Sequence, residues 1–103
     1  MASLNWTTEA EQWLLDIFRY IAEDDPLAAR KVVQGIYDRA RILKDFPHIG
    51  YRYEETGEGE IRVLLYGHFR IAYRVKSDDQ LDVLGVFHGA MELDCYLPQK
   101  RDK

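Results

Sequence analysis

The chain is predicted to fold as an α+β domain, with a helical hairpin packed on one face of a mainly antiparallel sheet of three to four strands. Three observations lead there. Apolar residues recur every three or four positions between Ala10 and Leu43, the period of amphipathic helices. They recur every second position across much of Ile61 to Phe87, the period of strands. The two patterns do not interleave, so the helices form one layer and the later strands another. With 103 residues the chain has room for one domain, spanning 1–103 with a charged tail at about 98–103 that is expected to fray. Hydrophobic residues make up 47%, enough to fill a core and to exclude wholesale disorder.

Each element has a local cause. Leu4-Asn5-Trp6 is apolar at alternate positions and reads as a short N-terminal strand. Thr7 or Thr8 caps the first helix, and Thr8-Glu9-Ala10-Glu11 has the spacing of a capping box. Ala10, Trp13, Leu14, Ile17, Phe18 and Ile21 then form one apolar face. Trp13, Ile17 and Val33 are expected in the hairpin core, and truncating Ile17 to alanine is expected to cost roughly 2–5 kcal/mol. Asp24-Asp25-Pro26 stops this helix and starts the next, with Asp25 as cap and Pro26 at the first helical position. The second helix is predicted from about Pro26 to Asp45, with Gly35 allowing the two helices to approach closely. Pro47 and Gly50 end it, and residues 51–59 read as a polar loop. In the first strand of the sheet, Ile61, Val63 and Leu65 alternate with Arg62, Leu64 and Tyr66. Gly67 turns the chain. In the second, Phe69, Ile71, Tyr73 and Val75 alternate with Arg70, Ala72, Arg74 and Lys76. In the third, Leu81, Val83 and Phe87 are assigned to one face and Leu84 and Val86 to the other, so both faces are covered.

Charge narrows the function. Lys plus Arg is 14 against 18 Asp plus Glu, a net charge of −4, which argues against coating nucleic acid through bulk charge. The distribution is uneven. Residues 61–76 contain Arg62, His68, Arg70, Arg74 and Lys76 and no acid, and Arg70 and Arg74 share a strand face. That face is either an ordinary solvated one or a basic surface for phosphate or an acidic protein tail. His88 closes the last strand, as a strand-ending histidine or a general acid–base group. His48, His68 and His88 lack metal-ligand spacing, and the single Cys95 rules out zinc held on cysteines and gives weak grounds for a nucleophile. Gly57 and Gly59 sit among Glu55, Glu58 and Glu60, which would repel phosphate. No metal or cofactor is expected. No apolar run is long enough to span a membrane, and Met1 to Trp6 does not have the pattern of a secretory signal, so a cytoplasmic location is expected.

The pieces in order resemble the ParE branch of the RelE/ParE toxins of bacterial type II toxin–antitoxin systems, over residues 4–97. The resemblance rests on Trp6-Thr7 leading to Ala10, Ile17-x-x-Tyr20-Ile21, Asp25-Pro26-x-Ala28-Ala29 and Leu43-x-x-Phe46-Pro47-x-x-Gly50. It continues through Ile61-Arg62, Gly67-x-Phe69-Arg70-Ile71-x-Tyr73 and Val86-x-His88-Gly89-Ala90. It implies a plasmid-stabilisation toxin that inhibits DNA gyrase by protein–protein contact and is neutralised by a cognate antitoxin whose C-terminal segment wraps around it. Arg62, Arg70, Arg74, Trp13 and Ile17 are the expected partner-binding residues, and no direct DNA binding is expected of the toxin alone. A RelE-like member would instead cleave mRNA on the ribosome without a metal, here through Arg62, Arg70, His88 and Tyr96. Met91 stands where many ParE-like chains carry a basic residue, which adds a third reading, a non-toxic antitoxin-binding member.

Overall fold

Strand β1, Ser3–Trp6, runs straight into helix α1, Thr8–Ala22, and one hydroxyl sets the junction. Thr7 Oγ accepts from the Ala10 amide at 3.1 Å and donates to the Val83 carbonyl at 2.7 Å, so the cap also ties the helix start to the last strand. Helix α2 covers Pro26–Ala40, capped by Asp25, whose carboxylate accepts from the Ala28 amide at 3.1 Å. The expected run to Asp45 is completed by a tighter 3-10 turn, Arg41–Lys44, which buries Leu43. The computed structural model describes residues 2–89 together with Met91, Leu93, Tyr96 and Leu97. Cys95, Glu92, Asp94 and the tail 98–103 lie outside the described residues.

Four strands follow: β2 Tyr51–Thr56, β3 Gly59–Tyr66, β4 Phe69–Ser77 and β5 Gln80–His88. They form a five-stranded sheet in the order β1-β5-β4-β3-β2, antiparallel throughout except for the parallel pair β1 and β5. The segment read as a loop at 51–59 is therefore mostly an edge strand. Its alternation is hidden because a register shift between Arg52 and Glu54 leaves Tyr53 as an extra residue, and the strand is largely polar.

A second shift corrects the faces assigned to β5. Tyr73 pairs with Val83 and Ala72 with Gly85, so Leu84 is a bulge and the alternation changes phase there. Leu81, Val83 and Val86 consequently share the helix side, while Phe87 joins the opposite side. The main core lies between hairpin and sheet, with Leu14, Ile36, Leu43, Leu64, Ile71, Tyr73 and Val83 among its members. A second, smaller core covers the outer face, where Leu93 and Leu97 close over Ile61, Val63, Ala72 and Phe87. Gly35 does not bring the helices together. The space beside it is filled by the Tyr66 ring, whose hydroxyl would lie 1.9 Å from an added Cβ. Among the described residues no helix is long and apolar enough to cross a membrane.

Candidate functional site

Helix α1 does not seat all of its apolar residues in the core. Trp13, Ile17, Tyr20 and Ile21 recur at helical spacing and line one wall of an open groove of about 520 Å³. The facing wall is Phe69 from the start of β4, Val86 and His88 from the end of β5, and Met91 beyond it, with Asp16 as the acid at the rim. Trp13, Ile17 and Val33, expected in the hairpin core, are only partly buried: Ile17 and Val33 pack against the main core and Trp13 against the outer one. Tyr20 is 77% exposed, and sequence periodicity had not singled it out as a site residue. Its place in the repeat Ile17-x-x-Tyr20 was the available signal.

The groove exists because β1 pairs with β5 only over Gln80 to Val83. Beyond that point Trp13 packs against the upper part of β5, edge-on to Phe87 at 4.7 Å between ring centres and edge-on to Tyr96 at 5.3 Å. Tyr96 stacks on Phe87 in turn at 5.6 Å. Gly85 makes this possible, since a Cβ there would meet Phe87 at 2.5 Å and Trp13 at 3.2 Å. At the groove's other end His88 is edge-on to Phe69 and stacks with His68 at 6.3 Å, and a neighbouring hollow shares Phe69 and His88 and adds Arg70 and Gly89.

The arginines of residues 61–76 have their own partners. Arg62 bonds the carbonyls of His48 at 3.0 Å and Gly50 at 2.6 Å and pairs with Glu60 at 3.1 Å. Arg70 donates to the carbonyls of Gly89 and Met91, holding the segment after β5 against the sheet. Arg74, with a largely buried side chain, meets Glu58 at 3.6 Å, and Lys76 meets Asp82 at 3.1 Å. The Nε atoms of Arg70 and Arg74 are buried without a hydrogen-bond partner among the described residues. Arg70 and Arg74 do share the outer face, flanking Ala72. Arg62 lies on the other one, because Arg62 is paired with Tyr73 and Arg70 with Leu65, and Leu65 is an odd number of positions from Arg62. Of the residues a nuclease reading groups together, Arg70, His88 and Tyr96 cluster around the end of β5, and Arg62 does not join them.

The fold is thus a helical hairpin on a five-stranded sheet, with an open apolar groove at the hairpin's edge. The family model described as the ParE toxin of the type II toxin–antitoxin system, parDE, matches residues 4–93, and the chain belongs to that family. Among solved structures it is similar to one titled as the chromosomal ParDE TA system from P. aeruginosa. The identity is 27%, the TM-score is 0.69, and the match covers 85% of this chain and 96% of that one. No curated protein matches the sequence.

Proposed function

We propose that the chain is a toxin neutralised by a cognate antitoxin and acting on DNA gyrase through protein contact. The observation that carries this reading is the groove walled by Trp13, Ile17, Tyr20, Phe69 and Met91, which is apolar, open and built from α1, the facing ends of β4 and β5 and the segment after β5. A helical or extended antitoxin segment would place apolar side chains there and cover what is otherwise an aggregation-prone surface. The ParDE neighbour, by its title a toxin–antitoxin system, supports an antitoxin as partner. The bonded state of Arg62, Arg70 and Arg74 favours the groove as the source of affinity, because a carboxylate tail would have to displace partners these side chains already have.

The nuclease reading needs several cations converging on one phosphate. Arg62 sits on the opposite sheet face from Arg70, and Arg70 is occupied with backbone carbonyls, so the arrangement favours protein contact over RNA cleavage.

Expression of the chain without antitoxin tests the reading. The expected result is growth arrest, blocked supercoiling by purified gyrase and intact transcripts in a translating extract. Cleaved transcripts with normal supercoiling would establish the nuclease instead, and unimpaired growth at confirmed soluble expression would leave an antitoxin-binding module without toxicity. Within the same reading, Trp13→Ala and Tyr20→Ala should weaken antitoxin binding by at least about tenfold, as aromatic anchors do. The Arg70→Ala, Arg74→Ala pair should weaken it less, and the reverse ranking would move the binding face to the arginines.

A further inference from the structure

The hairpin carries a second crevice on the opposite side of α1 from the groove. Two adjoining hollows of about 510 and 360 Å³ between α1 and α2 share Phe18, Val33 and Tyr37, and Leu15, 40% exposed, extends them. The two ends of this crevice are charged in opposite senses. Glu11 lies at the end formed by the start of α1, and Arg30 and Lys31 lie at the end formed by the start of α2. These three side chains are exposed, and none has an ion pair among the described residues, whereas Arg52, Arg62, Arg74 and Lys76 on the sheet each have one.

Arg30 and Lys31 sit in the second turn of α2, beyond the Asp25 cap, and both side chains are exposed. The two helices are also unlike in charge. α1 carries Glu9, Glu11 and Asp16 against Arg19, and α2 carries Arg30, Lys31 and Arg39 against Asp38.

We propose that the crevice is a self-association surface whose occupant is a second copy of this chain. A two-fold axis that crosses the hairpins lays the start of α1 over the start of the other copy's α2. Each Glu11 then faces the other copy's Arg30 and Lys31, twice by symmetry, around a centre of Leu15, Phe18, Val33 and Tyr37. The surface is complementary to itself, which a surface adapted to an unrelated acidic or basic partner would not be. Trp13, Ile17 and Tyr20 lie on the far side of α1 and stay open, so pairing does not compete for the groove. The crevice is small, so the dimer is expected to be weak and concentration-dependent.

Sedimentation velocity on the full chain, from low to high micromolar, tests this. The chain should pass from monomer to dimer. Glu11→Lys alone, or Arg30→Glu with Lys31→Glu, should each raise the dissociation constant by about tenfold or more, since like charges then meet at two symmetric contacts. The triple variant should restore it, because the complementarity is re-formed with the signs exchanged. All three positions are exposed, so the fold should be kept, at a small cost in stability where the first-turn acid Glu11 is lost, and circular dichroism checks this. A wild-type chain that stays monomeric overturns the proposal, as does a dimer insensitive to the charge swaps. A monomer whose antitoxin affinity falls in the same variants overturns it too, by assigning the crevice to the antitoxin. Gyrase inhibition and antitoxin binding through the Trp13 groove are read separately, so failure here leaves that reading intact.

Discussion

Tyr73 shows how one side chain can join two parts of the chain. Its ring is fully buried in the main core, and its hydroxyl donates to the Pro47 carbonyl at 2.8 Å and accepts from the Gly50 amide at 3.0 Å. The bend that follows the 3-10 turn is thereby fastened to the centre of the sheet. Tyr73→Phe should lower unfolding free energy by about 1–3 kcal/mol, because it strands a carbonyl and a buried amide together, and equilibrium denaturation measures this. The hydroxyl is also an internal pH probe. Burial pushes its pKa above the ordinary value of 10.0; the Gly50 hydrogen bond and the charge of Arg62 pull it back, and Glu60 adds a small push upward. The folded state holds this proton more tightly than the unfolded one. The associated stability is therefore intact below pH 10.0 and is lost as pH rises through that value towards the folded pKa. Wild type should lose stability more steeply than Tyr73→Phe in that window, and parallel curves would show that the hydroxyl does not titrate late.

Elements divide into those that fill the core and those that leave a face open. Ile36 in α2 is fully buried, and Ile36→Ala should cost about 2–5 kcal/mol. Ile17 in α1 is only partly buried, packed against the main core at the groove, which lowers the expected cost of Ile17→Ala to about 1–2 kcal/mol, below the range its helical spacing alone suggested. Thermal or denaturant unfolding of the two variants compares them directly. The hairpin and the three longer strands were legible because their apolar residues keep a period over many positions, in β5 on either side of one bulge. β2 was not, because an edge strand with a bulge at Tyr53 and acids on both faces carries no such period. The phase change at Leu84 was hidden for a different reason: a bulge is a property of the pairing, and the residues around it are apolar whichever face they take. For the candidate site, Trp13 and Ile17 were named twice, as core residues from helical spacing and as partner-binding residues from the resemblance. Whether a helical apolar face is covered depends on how far β1 extends along β5, which the helix's own sequence does not encode. The partners of Arg62 and Arg70 are backbone carbonyls of loops, which no spacing rule selects.

At the scale of the molecule, two cores on opposite sides of one sheet need something to join them. Trp13 does so, since it belongs to α1 yet packs with Phe87 of the outer cluster and with Tyr96 beside it. Chemical denaturation followed by tryptophan fluorescence in a Trp6→Phe background should therefore coincide with the far-ultraviolet dichroism transition. An earlier fluorescence transition would show that the outer layer detaches first. The parallel pairing of β1 with β5 has a further consequence, for the order of events during synthesis. Asn5 bonds Asp82 across 77 positions, so β1 leaves the ribosome long before β5, the strand it pairs with. Contacts of that range are slow to close. A chain released before Gln80 lacks β5 and with it the wall of Val86 and His88, so translation that stops short yields a fragment unable to assemble the groove.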